Sequence, residues 1–109
     1  MLREIEQRSA DPGLNAITVA TQLGITPRYV HLLLEETGKS FARHVIERRL
    51  ERVAALLHAP GKRHQKIAAI AAEAGFNDLT YFNRTFRRHF GATPTDVRLA
   101  AMREAAWRE

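Results

Sequence analysis

The chain has 109 residues, 45% of them hydrophobic, no cysteine, a net charge of +5 and a pI near 10.4. That length fits one domain or two very small ones, and the apolar content argues against disorder. Without cysteine there is no disulfide framework and no cysteine-based zinc site; no apolar run approaches the ~18 residues of a membrane span, and the N-terminus lacks a signal-peptide core, which together fit a reducing cytoplasm.

Helix signals dominate the chain from end to end. LREIEQRS reads as a short first helix stopped by Asp11-Pro12-Gly13. Asn15 caps a second helix from Ala16 to about Leu23, closed by Gly24. Thr26-Pro27 places a cap before a proline at the first helical position and opens a third helix to about Thr37, closed by Gly38. Ser40 caps a long helix from Phe41 to about His58, with apolar residues at helical spacing. HAPGKRHQ is a loop. A helix from Lys66 to Ala74 follows, ending at Gly75. Asn77 or Asp78 caps the next, to about Phe90, before Gly91, and Thr93-Pro94 opens a last helix. No alternating run argues for strands. The expected fold is all-α, with about seven helices.

Two segments repeat. VATQLGI at 19–25 and IAAEAGF at 70–76 superpose at an offset of 51. After the glycine the offset becomes 52, which aligns Val30 with Phe82 and Leu34 with Phe86 and makes the second turn one residue longer. Ala20 and Ala71 fall where two helices cross closely, and Gly24 and Gly75 fall where the chain leaves the helix through a left-handed conformation. Small residue, glycine and apolar anchor at this spacing form the helix-turn-helix pattern. The boundaries expected are a first helix-turn-helix subdomain over 1–40, a linker helix over 41–58, and a second subdomain with a C-terminal helix over 59–109.

The helix after each corner has two faces. On a helical wheel Leu79, Phe82, Phe86 and Phe90 cluster within about 80° of one another, while Thr80, Tyr81, Arg84, Arg87 and Arg88 lie opposite. The same wheel on 27–37 turns Val30, Leu33, Leu34 and Thr37 inward and Arg28 and Leu32 outward, with His31 beside them. Charge is uneven as well: residues 1–60 hold eight Lys+Arg and seven Asp+Glu, and residues 61–109 hold nine and five. A basic half points to a polyanionic partner, or serves solubility alone. The five histidines show no metal spacing, there is no phosphate-binding glycine loop, and Ser9 and Ser40 read as helix-end residues, so neither enzyme activity nor a cofactor is expected.

The stretch KIAAIAAEAGFNDLTYFNRTFRRHFGATPTDVR resembles the signature of the AraC/XylS transcription regulators, through Ile67, Ile70, Ala71, Gly75, Phe76, Asp78, Phe82, Arg84, Phe86, Arg87, Arg88, Phe90, Gly91, Pro94 and Arg98. The first half agrees through Leu23, Thr26-Pro27-Arg28-Tyr29, Gly38, Ser40-Phe41, Arg49-Leu50 and Leu56-Leu57. The resemblance covers about residues 10 to 100. It implies sequence-specific binding of double-stranded DNA in bacterial transcription control, with two recognition helices in successive major-groove segments. By carry-over the base-facing residues are Arg28, His31 and Leu32 in the first helix and Leu79, Thr80, Tyr81, Asn83 and Arg84 in the second. Phosphate contacts are expected from Lys39, Ser40, Lys62, Arg63, Lys66, Arg87 and Arg88, with plain solvation as the alternative for Arg87 and Arg88 and, equally, for the loop cations Lys62, Arg63 and Lys66. Tyr81 serves DNA or packs on a neighbouring helix, and Asn83 reads bases or caps. Arg49 is expected to be structural, paired with a carboxylate, and His89 to pack. Three positions depart from the family pattern: Leu34 replaces a usual phenylalanine, Leu32 a common arginine, and Val97 a frequent tyrosine. The family also implies a separate sensing or dimerisation domain preceding this segment, so the chain reads either as a standalone member or as an excised C-terminal domain, with the second reading favoured. The competing class is a protein-interaction module for a partner such as RNA polymerase.

Overall fold

The computed structural model describes residues 1–108, and among these every regular element is helical. The α-helices are α1 (Leu2–Arg8), α2 (Ala16–Leu23), α3 (Pro27–Glu35), α4 (Phe41–His58), α5 (Ile67–Glu73), α6 (Leu79–Phe90) and α7 (Pro94–Arg108). A single 3₁₀ turn, Pro60–Lys62, lies in the loop after α4. The chain divides into two compact units, Met1–Arg49 and Leu50–Glu109, with α4 running through the division.

Local chemistry explains most boundaries. Asn15 forms a full capping box: its side chain accepts from the Thr18 amide at 2.9 Å, and the Thr18 hydroxyl accepts from the Asn15 amide at 3.3 Å. Thr26 accepts from the Tyr29 amide at 3.1 Å, Ser40 from Arg43 at 3.1 Å, Asp78 from Tyr81 at 3.0 Å and Thr93 from Asp96 at 3.1 Å. Each satisfies an amide that a helix start would otherwise leave unpaired. Of the two candidate caps before α6, Asp78 is the one used. The third helix ends at Glu35, short of Thr37, because Thr37 and Gly38 donate back only three residues, to Leu34 and Glu35.

In the first unit, Ile5, Leu14, Val19, Ala20, Val30, Leu34, Phe41 and Val45 form one core, with Met1, Ala16 and Ile25 packed against it. Arg49 closes the back of this unit. It is 9% exposed and donates from Nε to the Ser9 carbonyl at 2.7 Å and from Nη2 to the Asp11 carbonyl at 2.8 Å. Its role is structural as expected, but these partners are main-chain carbonyls at the end of α1, where a fixed guanidinium fork satisfies two acceptors at once.

In the second unit the buried apolar side chains of the core are Leu50, Val53, Leu57, Ile70, Ala71, Ala74, Phe76, Phe82 and Phe86. The phenylalanines form a ladder. Ring centroids lie 5.0 Å apart for Phe76–Phe82, 5.6 Å for Phe82–Phe86 and 4.6 Å for Phe86–Phe90, all tilted. Such pairs are worth about 0.5–1.5 kcal/mol each beyond simple burial. Arg98 of α7 donates to the Gln65 carbonyl and ties the last helix to the loop before α5.

Several inward expectations need correction. Leu33 is 41% exposed and Thr37 lies at the surface, its hydroxyl 2.6 Å from the Leu34 carbonyl and 2.7 Å from His44 Nε2. Leu79 is 49% exposed and Phe90 38%. His89 is exposed and meets Phe90 edge-on at 4.7 Å. Val30 with Leu34 on α3, and Phe82 with Thr85 and Phe86 on α6, already fill the inner face. Leu33 lies on the flank of the wheel, and Leu79 and Phe90 are the first and last residues of α6.

Candidate nucleic-acid interface

The two corners share one construction. In the first, the Ile25 amide donates to the Ala20 carbonyl at 3.0 Å; in the second, the Phe76 amide donates to the Ala71 carbonyl at 3.0 Å. Ala20 and Ala71 are buried, and Gly24 and Gly75 have φ of +70° and +110°. Only glycine takes such angles without strain, so both chains can reverse directly into the next helix. The cap bonds of Thr26 and Asp78 then fall 52 residues apart. The repeat is therefore a repeat of hydrogen bonds as well as of letters.

What each corner presents follows from which side is buried. On α3, Val30 and Leu34 are buried while Arg28, Tyr29, His31, Leu32 and Leu33 are exposed. On α6, Phe82, Thr85 and Phe86 are buried. The Thr85 hydroxyl donates to the Tyr81 carbonyl, 2.8 Å away, and lies 3.1 Å from that of Phe82, so its polar group is satisfied inside. Leu79, Thr80, Tyr81, Asn83, Arg84, Arg87 and Arg88 are exposed on the other sides. The Arg84 guanidinium lies over the Tyr81 ring, 5.7 Å from its centroid, a cation–π contact that steadies a long side chain in place. Tyr81 thus has a third role that neither alternative anticipated.

Beside this helix, Asn83, Arg84, Arg87 and Arg88 line an open groove of about 560 Å³ whose far wall is Thr93 and Pro94 at the start of α7. Three guanidiniums and a helix start face one hollow. Arg87 and Arg88 hold no hydrogen bond or ion pair among the described residues. Both are placed to attract anions.

The remaining cations are less free. Lys39 Nζ lies 2.8 Å from Glu47 Oε2, and Arg43 Nε lies 3.1 Å from the same carboxylate at Oε1. The hydrogen bond from Lys39, with help from Arg43, holds the Glu47 carboxyl below its ordinary value against the opposing effect of burial. Ser40 spends its oxygen as the α4 cap, and with His31 and Lys39 it borders a shallow concavity of about 380 Å³. Lys62 pairs with Glu73 at 3.2 Å; Arg63 is half-buried and Lys66 exposed at the start of α5. Arg43 and Glu47 escaped notice in the sequence, although their spacing of four on a helix is the signal for such a pair.

Paired outward helices after glycine corners, one of them strongly cationic, define a helix-turn-helix protein of the DNA-binding class. A family model described as a helix-turn-helix domain matches residues 19–100. The chain is 40% identical over 97 residues to the transcriptional activator RhrA of Rhizobium meliloti, covering 89% of this chain and 31% of that protein. It is 28% identical over 86 residues to the HTH-type transcriptional regulator GadX of Escherichia coli, covering 79% and 30%. Among solved structures, the C-terminal domain of AraT, a response regulator from Geobacillus stearothermophilus, aligns with a TM-score of 0.79 at 26% identity, covering 91% of this chain and 80% of that one. An AraC-type DNA-binding regulator from Chromobacterium violaceum aligns with a TM-score of 0.73 at 27% identity, covering 81% and 77%. The chain belongs to the AraC-type helix-turn-helix family of transcription regulators. It spans about 30% of the length of the curated relatives it matches.

Proposed function

We propose that this chain is the sequence-specific, double-stranded-DNA-binding part of a longer transcription regulator, with α3 and α6 entering successive segments of the major groove. The observation that carries this reading is the duplicated corner, whose second copy leaves Thr80, Arg84 and Arg87 exposed while Phe82 and Phe86 are buried. Arg84 bridges guanine O6 and N7, and Arg28 does the same from the first turn of α3. Thr80 and Asn83 meet polar base edges, His31 flanks Arg28, and Leu79 packs against the groove wall. Arg87, Arg88, Lys66 and Arg63 neutralise phosphates, joined by Lys62, Lys39 and Ser40 once their present partners are exchanged. The length of the relatives supports a further sensing or dimerisation region in the intact protein.

Selection of bound sites from a random duplex library tests this reading, and two conserved boxes about one helical turn apart are expected. A second reading, a surface for a protein such as RNA polymerase, is favoured by α7, which exposes Leu99 at 46% and Met102 at 36% one turn apart. A gel shift on random duplex at low salt separates the two. Retarded DNA supports the first reading, and free DNA at micromolar protein leaves only the second.

A further inference from the structure

The first recognition helix carries an anomaly that charge does not explain. On a wheel of about 100° per residue, the direction midway between Val30 and Leu34 points into the core, and Leu32 lies about 180° from it. Leu32 therefore occupies the centre of the outward face, where it is 47% exposed. The residue 52 positions later, at the same place on α6, is Arg84. Arg28, which holds no partner among the described residues, sits one turn before Leu32 on the same face. The only cation of α3 thus marks the face that meets a polyanion, and an aliphatic side chain is the centrepiece of that face.

Resting on the DNA-binding reading above, we propose that Leu32 selects a thymine by packing on its C5 methyl group, one or two base pairs from a guanine held by Arg28. Leucine has no donor or acceptor. Set against guanine N7 and O6, adenine N7 and N6 or cytosine N4, it strips water from those groups and returns nothing, which costs the full desolvation. The thymine methyl is the one apolar feature on the major-groove edge of the four common bases. The separation from Arg28 follows from helix geometry: one turn rises about 5.4 Å, against about 3.4 Å per base pair. The first half-site is thus read by a methyl and a guanine, whereas the residue equivalent to Leu32 in the second half reads a guanine.

Uracil in place of thymine deletes the methyl and leaves base pairing intact. In the selected site, each thymine of the box altered by Leu32 variants is replaced by uracil, and affinity is measured by fluorescence anisotropy. At one position the native protein should lose about fourfold, the worth of burying one methyl group. Leu32→Ala should bind uracil and thymine there equally, and cytosine should weaken native binding more than 5-methylcytosine does. Repeating the selection with Leu32→Arg should exchange that thymine for guanine. Because Leu32 is exposed, circular dichroism and melting of both variants should match the native protein. Indifference to uracil at every thymine of the box, or an undiminished uracil penalty in Leu32→Ala, overturns the proposal while leaving DNA binding intact. Failure to select any duplex site overturns the underlying reading as well.

Discussion

The two units build the same corner and put opposite chemistry on it. The first holds seven basic and six acidic residues, a net of +1; the second holds ten and six, a net of +4. Pairing sharpens the contrast. In the first unit Lys39 and Arg43 are held by Glu47, Arg48 by Glu6 at 2.7 Å, Arg8 by Gln22 and Arg49 by two carbonyls. Arg28 is left as the cation of the recognition helix. In the second, Arg84, Arg87 and Arg88 share one face of α6, none of them spent on a carboxylate. On the proposed reading, this duplicated scaffold divides its labour: one half would supply electrostatic grip, and the other discrimination with little charge. The cores differ too, an aliphatic pair in α3 against a phenylalanine ladder in α6.

The largest effect expected is on folding. Phe82→Ala should cost about 3–5 kcal/mol, since it empties the middle of the ladder, while Val30→Ala at the matching position removes less volume and should cost about half as much. Urea denaturation of both variants checks the ratio, and equal losses would mean that the two cores are equivalent after all. Next comes Arg84→Ala, which should weaken the selected site by about 1–3 kcal/mol and relax base preference there, with random DNA much less affected. Equal losses on both DNAs would make Arg84 a backbone contact.

Arg88→Ala should act more gently and evenly, weakening specific and random duplex alike and reducing the log–log salt slope by about 0.9. A slope unchanged within error would place Arg88 away from the phosphates. The smallest effect has the opposite sign. Glu47→Gln releases Lys39 and Arg43, so binding to random DNA should tighten and its salt slope steepen by up to about 1.8. That change would move the first unit toward the second. The same pair has a pH signature. A depressed carboxyl in the folded state stabilises above the ordinary glutamate value of about 4.3 and loses that contribution as pH falls through its lower folded value. Melting of native protein and Glu47→Gln should therefore differ from pH 5 upward and converge toward pH 3. A gap that persists in acid would show that the ion pairs are not its source.

Caps and corners were legible in the sequence because their causes are local. Asn15, Thr26, Ser40, Asp78 and Thr93 satisfy amides within three residues, and Gly24 and Gly75 bend a chain that needs no distant partner to bend. The all-α class, the repeat and its one-residue difference in turn length followed from the same signals. The exposure of Leu33, Leu79 and Phe90 did not, since a wheel gives direction but not which neighbours cover a side chain.

The sequence by itself determined which helices form, roughly where they begin and end, and which residue stands at the centre of each outward face, because these depend on backbone angles and contacts a few residues apart. Apart from the i,i+4 pair of Arg43 and Glu47, the tertiary structure decided which charges are free. Lys39 reaches Glu47 eight residues away, and Arg49 reaches the carbonyls of Ser9 and Asp11 across about forty. Such pairings depend on where the folded chain brings its segments, and they separate the cations available to a partner from those the fold has already used.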